Sequence, residues 1–437
     1  VVRFWLALIV VCATVTGVHA DERARPIVGF RVKGKTKLQP RTLAYLAHVT
    51  EGDEVSDADI PRLQTALISS ELFETALVTL ESTPDGVIVV ALLEDKLSWI
   101  AAPTVYLLPN NTAFGVGFVE NDLGGRDQKI LLYGQLGTQT SILFATFLDP
   151  AYHGSKLTYR TDLYLERRHL DEYANPPGDP TSQAIERTTT ETFLDAGLLV
   201  GWNFKWWLVG DVRFRGAYVY FRDPISPIAG NVPVPSPEKD GWDVTTQFQL
   251  TLDHRFHYFG VTRGPYVQAL VEPSVPGLDS YGYVYGQIRA YYSWQFFCEH
   301  QFEIRTLQAL GYHLPAHEEL ALGGVSDLRG YPTDQFRGDF NSFYRAEYSF
   351  PLFKWWFFAF RGLTFYDGGY AAFYHRRPSD RDYLTTQLGP GAWRDDVGAG
   401  FRVYVKAVVL PLLGFDVAYG IEAKSPELVF ELGLTDF

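Results

Sequence analysis

No stretch of the 437 residues reaches about eighteen apolar positions free of charge, so no membrane-crossing helix is predicted. Cysteine is nearly missing. Cys12 lies in a segment read below as a leader, which leaves Cys298 alone and excludes an internal disulfide. Basic excess is absent too: 38 Lys and Arg face 51 Asp and Glu, and a net charge of -13 argues against nucleic acid as a partner. There is no P-loop and no G-x-S-x-G. His317-Glu318-Glu319 lacks the second histidine of a zinc H-E-x-x-H helix, and His254, His257, His300 and His313 have no ligand spacing. The expectation is a protein that is not an enzyme and needs no cofactor or metal.

Other features are abundant. Aromatic residues make up 15% of the chain, with 26 Tyr and 10 Trp, and there are 39 Gly. Mean hydropathy is -0.07, as expected of strands that alternate apolar and polar residues. At the start, Arg3 precedes the apolar run 4–15 and then Val18-His19-Ala20, the layout of a signal peptide over residues 1–20. Cys12 follows Val11, where a lipoprotein signal requires a small residue, so it reads as filler.

Residues 26–95 form the pattern of a small α+β domain in the order β-α-α-β-β. A strand over 27–32 ends at Gly34, and Pro40 opens a first helix. Ser56 and Asp59 make a capping box for a second helix, along which Ile60, Leu63 and Leu67 recur at helical spacing. Two β-rich segments flank Thr83-Pro84-Asp85-Gly86. From residue 98 to 437 the pattern is short alternating segments. In 156–166, Leu157, Tyr159, Thr161, Leu163 and Leu165 face one way, and Lys156, Arg160, Asp162 and Glu166 face the other. Sixteen strands are expected between 98–107 and 428–436, with the long connections near 167–188, 222–241, 309–338 and 371–395. Those are connections five, seven, eleven and thirteen. All are odd, so they emerge at one end of the sheet, as the external loops of a transmembrane β-barrel do. Lipid offers no hydrogen-bond partners, so such a sheet must close. The faces expected to meet lipid include Ile142, Phe144 and Leu148; Val212, Phe214, Tyr218 and Tyr220; and Phe415, Val417, Tyr419 and Ile421.

Connection eleven carries Leu322-Gly323-Gly324-Val325-Ser326-Asp327-Leu328-Arg329-Gly330-Tyr331. Two glycines allow a tight fold back into the lumen, where Arg329 needs carboxylates. Glu347, alternating with Arg345, and Asp367, in Phe365-Tyr366-Asp367-Gly368-Gly369, are available on later strands. Leu328-Arg329-Gly330-Tyr331 resembles the V/L-R-G-F/Y motif in the sixth extracellular loop of the BamA/TamA-like superfamily of outer-membrane assembly factors, the bacterial surface antigen family. Phe365-x-Asp367-x-Gly369 resembles its F-x-D-x-G strand motif, Glu347 its acidic partner, and 26–95 a single POTRA domain. Asp149-Pro150 resembles the periplasmic end of its fourth strand. The resemblance implies a 16-stranded barrel in the outer membrane, a periplasmic POTRA domain, and a loop pinned by Arg329, Gly330 and Tyr331 through Glu347, Phe365, Asp367 and Gly369.

Two features depart from the family pattern. Phe437 is the terminal aromatic, but Phe430, Leu432 and Leu434 have the opposite parity, so either a bulge lies near Gly433 or the last residue leaves the strand. One POTRA-like unit stands where the classical insertase has five, the TamA-like branch three and the two-partner secretion branch two. Pro103 in the first strand and Pro426 before the last suit edge strands, which marks Pro103, Val105, Phe430 and Phe437 as a lateral seam; the alternative is that 98–102 is linker. The implied function is insertion or secretion of β-rich client polypeptides. Its setting is outer-membrane lipid and lipopolysaccharide, and it is compatible with a periplasmic or lipoprotein partner. The competing reading is a passive pore or surface adhesin that keeps only the scaffold; a hydrolase lacks any residue constellation.

Overall fold

The computed structural model describes residues 24–108, 110–174, 181–258, 261–297, 299–356, 358–374, 392–405 and 408–432. Residues 1–20, expected to be a signal peptide, Cys298 and Phe437 therefore lie outside the described residues. The chain divides into two compact units, Val1–Asp95 and Lys96–Phe437.

The first unit contains β1 (Arg25–Lys35), α1 (Pro40–Leu46), β2 (Glu54–Val55), α2 (Ile60–Ser69), β3 (Phe73–Thr83) and β4 (Gly86–Asp95). The sheet order is β2-β1-β4-β3, with β1 parallel to β4 and the other pairs antiparallel. The two-residue β2, paired with Arg25 and Pro26, adds to the β-α-α-β-β order read from the sequence. Pro40 sits at the start of α1, where its missing N–H costs nothing. The Ser56–Asp59 capping box is formed over a 3₁₀ turn that leads into α2. The Ser56 backbone N–H donates to the Asp59 carboxylate at 3.0 Å and holds that carboxyl below its usual range. Gly34 has φ +101°, and a Cβ there would lie 2.2 Å from the Leu93 carbonyl oxygen, so only glycine fits. Leu63 and Leu67 of α2 pack with Leu43, Phe73 and the inner face of β4 in one buried core. Phe73→Ala in this core of about 70 residues should cost ~3–5 kcal/mol. Urea unfolding of a fragment spanning this unit checks it; a shift below 1 kcal/mol would mean the core is not cooperative.

The second unit is a closed antiparallel barrel with sixteen long strands among the described residues. They are β5 (Trp99–Leu108), β6 (Asn111–Leu123), β7 (Gln128–Gly137), β8 (Thr140–Asp149), β9 (Leu157–Tyr173), β10 (Ile185–Lys205), β11 (Leu208–Ser226), β12 (Gly241–Asp253), β13 (Val261–Pro273), β14 (Val284–Phe296), β15 (His300–Tyr312), β16 (Phe340–Trp355), β17 (Phe358–Ala372), β18 (Arg394–Val405), β19 (Val408–Gly420) and β20 (Ser425–Leu432). Each pairs with its neighbour in sequence, and β20 returns to β5. The connections sort by parity as expected: the long ones follow β9, β11, β15 and β17, which all end on one side, and short turns such as 124–127 and 206–207 lie on the other.

Alternation sorts the two faces. On β9 Leu163 is 61% exposed while its neighbour Asp162 is 5% exposed. Inside, Arg213 pairs with Asp162 and Asp195, while outside Phe214 is exposed. Exposed aromatics ring both ends. Trp99, Trp202, Phe204, Trp206, Trp294 and Trp355 lie at the short-turn end; Tyr220, Trp242, Tyr312, Tyr366 and Trp393 lie at the long-loop end. Tyr344, whose ring lies 5.9 Å from Trp393, and Trp355 are eleven residues apart on β16. At ~3.3 Å per residue and a tilt of ~40° this separates the rings by roughly 28 Å along the axis, close to the ~25 Å apolar band of such barrels.

One expected lipid face is reversed. On β8, Ile142 pairs with Glu166, Phe144 with Tyr164 and Leu148 with Arg160, all on the lumen side; Leu143, Ala145 and Phe147 face outward. Both parities of this strand are apolar, so alternation alone had nothing to discriminate. The inner side is apolar because Phe144, Tyr164 and Phe193 stack edge to face at 6.0 and 6.3 Å, in a row that continues to His317 of the folded-in loop.

Candidate functional site

The connection 313–339 does not stand out from the barrel. Leu320–Leu322 and Phe336–Gly338 pair as a short hairpin, and residues 328–332 between them are buried. Gly323 and Gly324 carry φ of +120° and +101°, and a Cβ on Gly323 would lie 2.1 Å from the Pro332 carbonyl oxygen. Asp327 braces the turn by accepting the Gly323 and Leu328 N–H groups at 2.6 and 2.7 Å. Leu328 and Tyr331 are fully buried and pack with Leu322 and Phe343.

This tip delivers Arg329 into a cluster of fixed charge. Its Nε donates to Asp367 Oδ2 at 2.8 Å, and Nη2 to Oδ1 at 3.3 Å. Nη1 reaches Asp416 Oδ2 at 3.1 Å, and both terminal nitrogens meet Glu347 Oε2 at 3.4 Å. The guanidinium carbon lies 3.2 Å from the Phe365 ring centre. Two more arginines balance the carboxylates: Arg345 donates to Asp367 at 2.7 Å, and Arg402 donates to Asp416 at 2.5 and 2.8 Å. Planar guanidinium and carboxylate groups satisfy each other here where little water reaches. The Gly330 N–H donates to Asp396 Oδ2 at 2.9 Å, and the Tyr331 hydroxyl donates to the Asp395 carbonyl at 3.1 Å and to Glu422.

Every member of Phe365-x-Asp367-x-Gly369 has a physical task. Phe365 underlies the cation, Asp367 pairs with it, and Gly369 leaves room: a Cβ there would meet Leu322 Cδ1 at 2.9 Å and Leu328 at 3.3 Å. The structure thus brings Arg329, Gly330, Tyr331, Glu347, Phe365, Asp367 and Gly369 to one place. It adds Asp416, Arg402 and Asp396, which sequence reasoning passed over. The signal was present: Phe415 and Val417 face outward, so Asp416 between them must face in. Glu347 is the weakest partner, 26% exposed and at 3.4 Å.

The base of the same loop is held on another part of the wall. Arg215 on β11 contacts Glu318 at 2.9 Å, Asp243 at 2.7 Å and Glu272 at 3.4 Å, and donates to the Tyr283 hydroxyl at 2.8 Å. His317 Nε2 lies 3.1 Å from Asp243 Oδ2, and Arg168 donates to the His317 carbonyl at 3.1 Å. Asp243, His317 and Glu318 come close enough together to hold a metal ion. The Arg215 guanidinium, however, already supplies the cation to both carboxylates, so the group reads as a second clamp. Sequence spacing gave no sign of it, because its parts lie on separate strands.

Among the seam residues, β20 meets β5 through Phe430–Leu107, Glu431–Tyr106 and Leu432–Val105. Pro103 lies below these pairs, opposite Val116 on the outward face. Residues 433–437, and with them the parity of Phe437, lie outside the described residues.

The Omp85 superfamily domain matches residues 122–434. The chain belongs to the Omp85 superfamily. No curated protein matches it at the sequence level. Among solved structures it is similar to CdiB from Escherichia coli, with 13% identity, TM-score 0.61, and 92% of this chain and 76% of that chain covered. It is also similar to BamA from Haemophilus ducreyi lacking POTRA domains 1–3, with 12% identity, TM-score 0.57, and 93% and 84% covered. CdiB from Acinetobacter baumannii is a third, with 12% identity, TM-score 0.58, and 94% and 74% covered. At this identity the likeness is one of fold. Superfamily membership makes this Omp85 chain an outer-membrane barrel of the general assembly and secretion type.

Proposed function

We propose that this Omp85 protein inserts or secretes β-rich client polypeptides, without nucleotide or cofactor, with its small N-terminal unit in the periplasm. The observation that carries the reading is the lumen plug: a loop folded into the barrel and fastened by Arg329. A loop clamped to the wall in this way narrows any passive path through the barrel, which favours this reading over a pore or adhesin that keeps only the scaffold. In the N-terminal unit, β3 is an edge strand and offers a ladder for a client strand. The meeting of β5 and β20 is the place where a client can join the wall, since Pro103 of β5 has no N–H to donate to a ladder.

Two experiments test this. Depleting the protein and profiling the outer membrane should lower the level of at least one other barrel or secreted β-rich protein; unchanged levels of all of them would favour the passive pore. Cysteine pairs at directly opposed positions sit about 4.5–5.5 Å apart at Cα. Leu107→Cys with Phe430→Cys should crosslink less completely in membranes than Leu132→Cys with Ala145→Cys. Equal yields would remove the weak seam.

A further inference from the structure

The outward face of the barrel is almost free of cations in its apolar band, but not at the long-loop end of β9, β10 and β11. In register across these strands, Arg167 stands opposite Thr192, which stands opposite Tyr220. One rung further out, His169 stands opposite Thr190, which stands opposite Arg222. Directly opposed side chains on one face lie within reach of one another. Arg167, His169 and Arg222 are exposed. The Arg222 guanidinium lies 5.6 Å from the Tyr220 ring centre and pairs with Asp240 at 2.6 Å. Asp171, the other acidic group on this face, is buried and accepts from the Thr188 hydroxyl at 2.5 Å. Arg167 has no ion pair or side-chain hydrogen bond among the described residues.

The level of this patch gives it meaning. The rung below holds Leu165, Leu194 and Tyr218, and Tyr218 stands opposite Trp242 of the aromatic ring. Leu163, Leu165 and Leu194 are exposed beneath it, so an apolar wall runs straight up to an unpaired guanidinium flanked by threonine hydroxyls. Aromatic rings of this kind sit at the level of lipid headgroups. A guanidinium there, in a chain of net charge -13, is placed for a bidentate bond to an anion that also owns acyl chains. We infer that this face binds the phosphate of a phosphorylated glycolipid headgroup. Arg167 is the principal donor, His169, Thr190, Thr192 and Arg222 complete the polar cradle, and the acyl chains lie against the leucines below. Free inorganic phosphate would meet the same donors but gains nothing from the apolar wall. The inference rests on the proposed orientation, in which the long-loop end lies in the outer leaflet.

The test uses the full chain in detergent, with lipid binding followed by native mass spectrometry. The probes are a bisphosphorylated glucosamine glycolipid, its dephosphorylated form, and inorganic phosphate as competitor. The wild type should bind the phosphorylated lipid at least tenfold more tightly than the dephosphorylated one. Arg167→Gln with Arg222→Gln should abolish that preference while keeping the heat-resistant compact form on gels. Equal binding of the two lipids by the wild type, or an intact preference in the double variant, would overturn the site. Displacement of the lipid by millimolar inorganic phosphate would overturn the assignment to a lipid. Orientation is read separately, by labelling His169→Cys on intact cells with an impermeant maleimide. No labelling alongside a preserved lipid preference would overturn the orientation and leave the site standing.

Discussion

Arg329→Ala should destabilise the barrel by about 3 kcal/mol, the low end of the ~3–5 kcal/mol expected when one partner of a buried pair is removed. The low end applies because Asp367 keeps Arg345 and Asp416 keeps Arg402, so neither carboxylate is stranded. Glu347→Gln should cost no more than ~1 kcal/mol, since that carboxylate is 26% exposed and its contact is screened. The loop should not leave the lumen in the Arg329 variant. Its base remains fastened to Arg215 and Asp243 through Glu318 and His317. Conductance in planar bilayers should therefore stay low in Arg329→Ala and rise severalfold only when Glu318→Ala and His317→Ala are added. A fully open pore from the single substitution would show that the second clamp does not hold.

Gly330→Ala should be nearly as damaging, for a reason that has nothing to do with charge. The φ of Gly330 is not positive, so the backbone accepts alanine. Space does not. The added carbon would sit 2.7 Å from Asp396 Cβ and 2.7 Å from the Gly420 backbone nitrogen. Two of the three nearest atoms belong to strand backbone and cannot swing away, so the loop tip must lift, and Arg329 with it. Overpacking of this kind costs ~1–3 kcal/mol. The bond from the Gly330 N–H to Asp396 would be lost in the same movement. Denaturant titration followed by gel mobility reads this out. A neutral Gly330→Ala would mean the tip is not seated against β18 and β19.

The barrel was legible because lipid and lumen impose opposite demands on successive residues. Where one face is charged and the other apolar, as along β9, the alternation assigned both sides. It failed on β8, where Phe144 packs toward the plug and both parities read as greasy. The arginine lock was legible through two short segments whose residue types match their tasks: a ring under the cation, a carboxylate beside it, a glycine for clearance. Asp416 and Asp396 were harder to see, because no motif surrounds either: Asp416 is a lone acid on its strand and Asp396 one of the adjacent pair Asp395-Asp396. The clamp at Arg215 was invisible, since four separate segments supply its charges and only strand register and the inward fold of the loop bring them together. In the first unit, Gly34 and the capping box are local features and appear where the sequence puts them. The two-residue β2 depends on a partner some thirty residues away and does not.

The central claim is that a loop residue and a wall residue hold each other inside the barrel. A double-mutant cycle on Arg329→Ala and Asp367→Ala, followed by urea unfolding in detergent, measures that directly. A coupling energy of about 1.5–3 kcal/mol is the expected result for two buried charges in contact. A coupling within ~0.3 kcal/mol of zero would place the guanidinium elsewhere and contradict the lock.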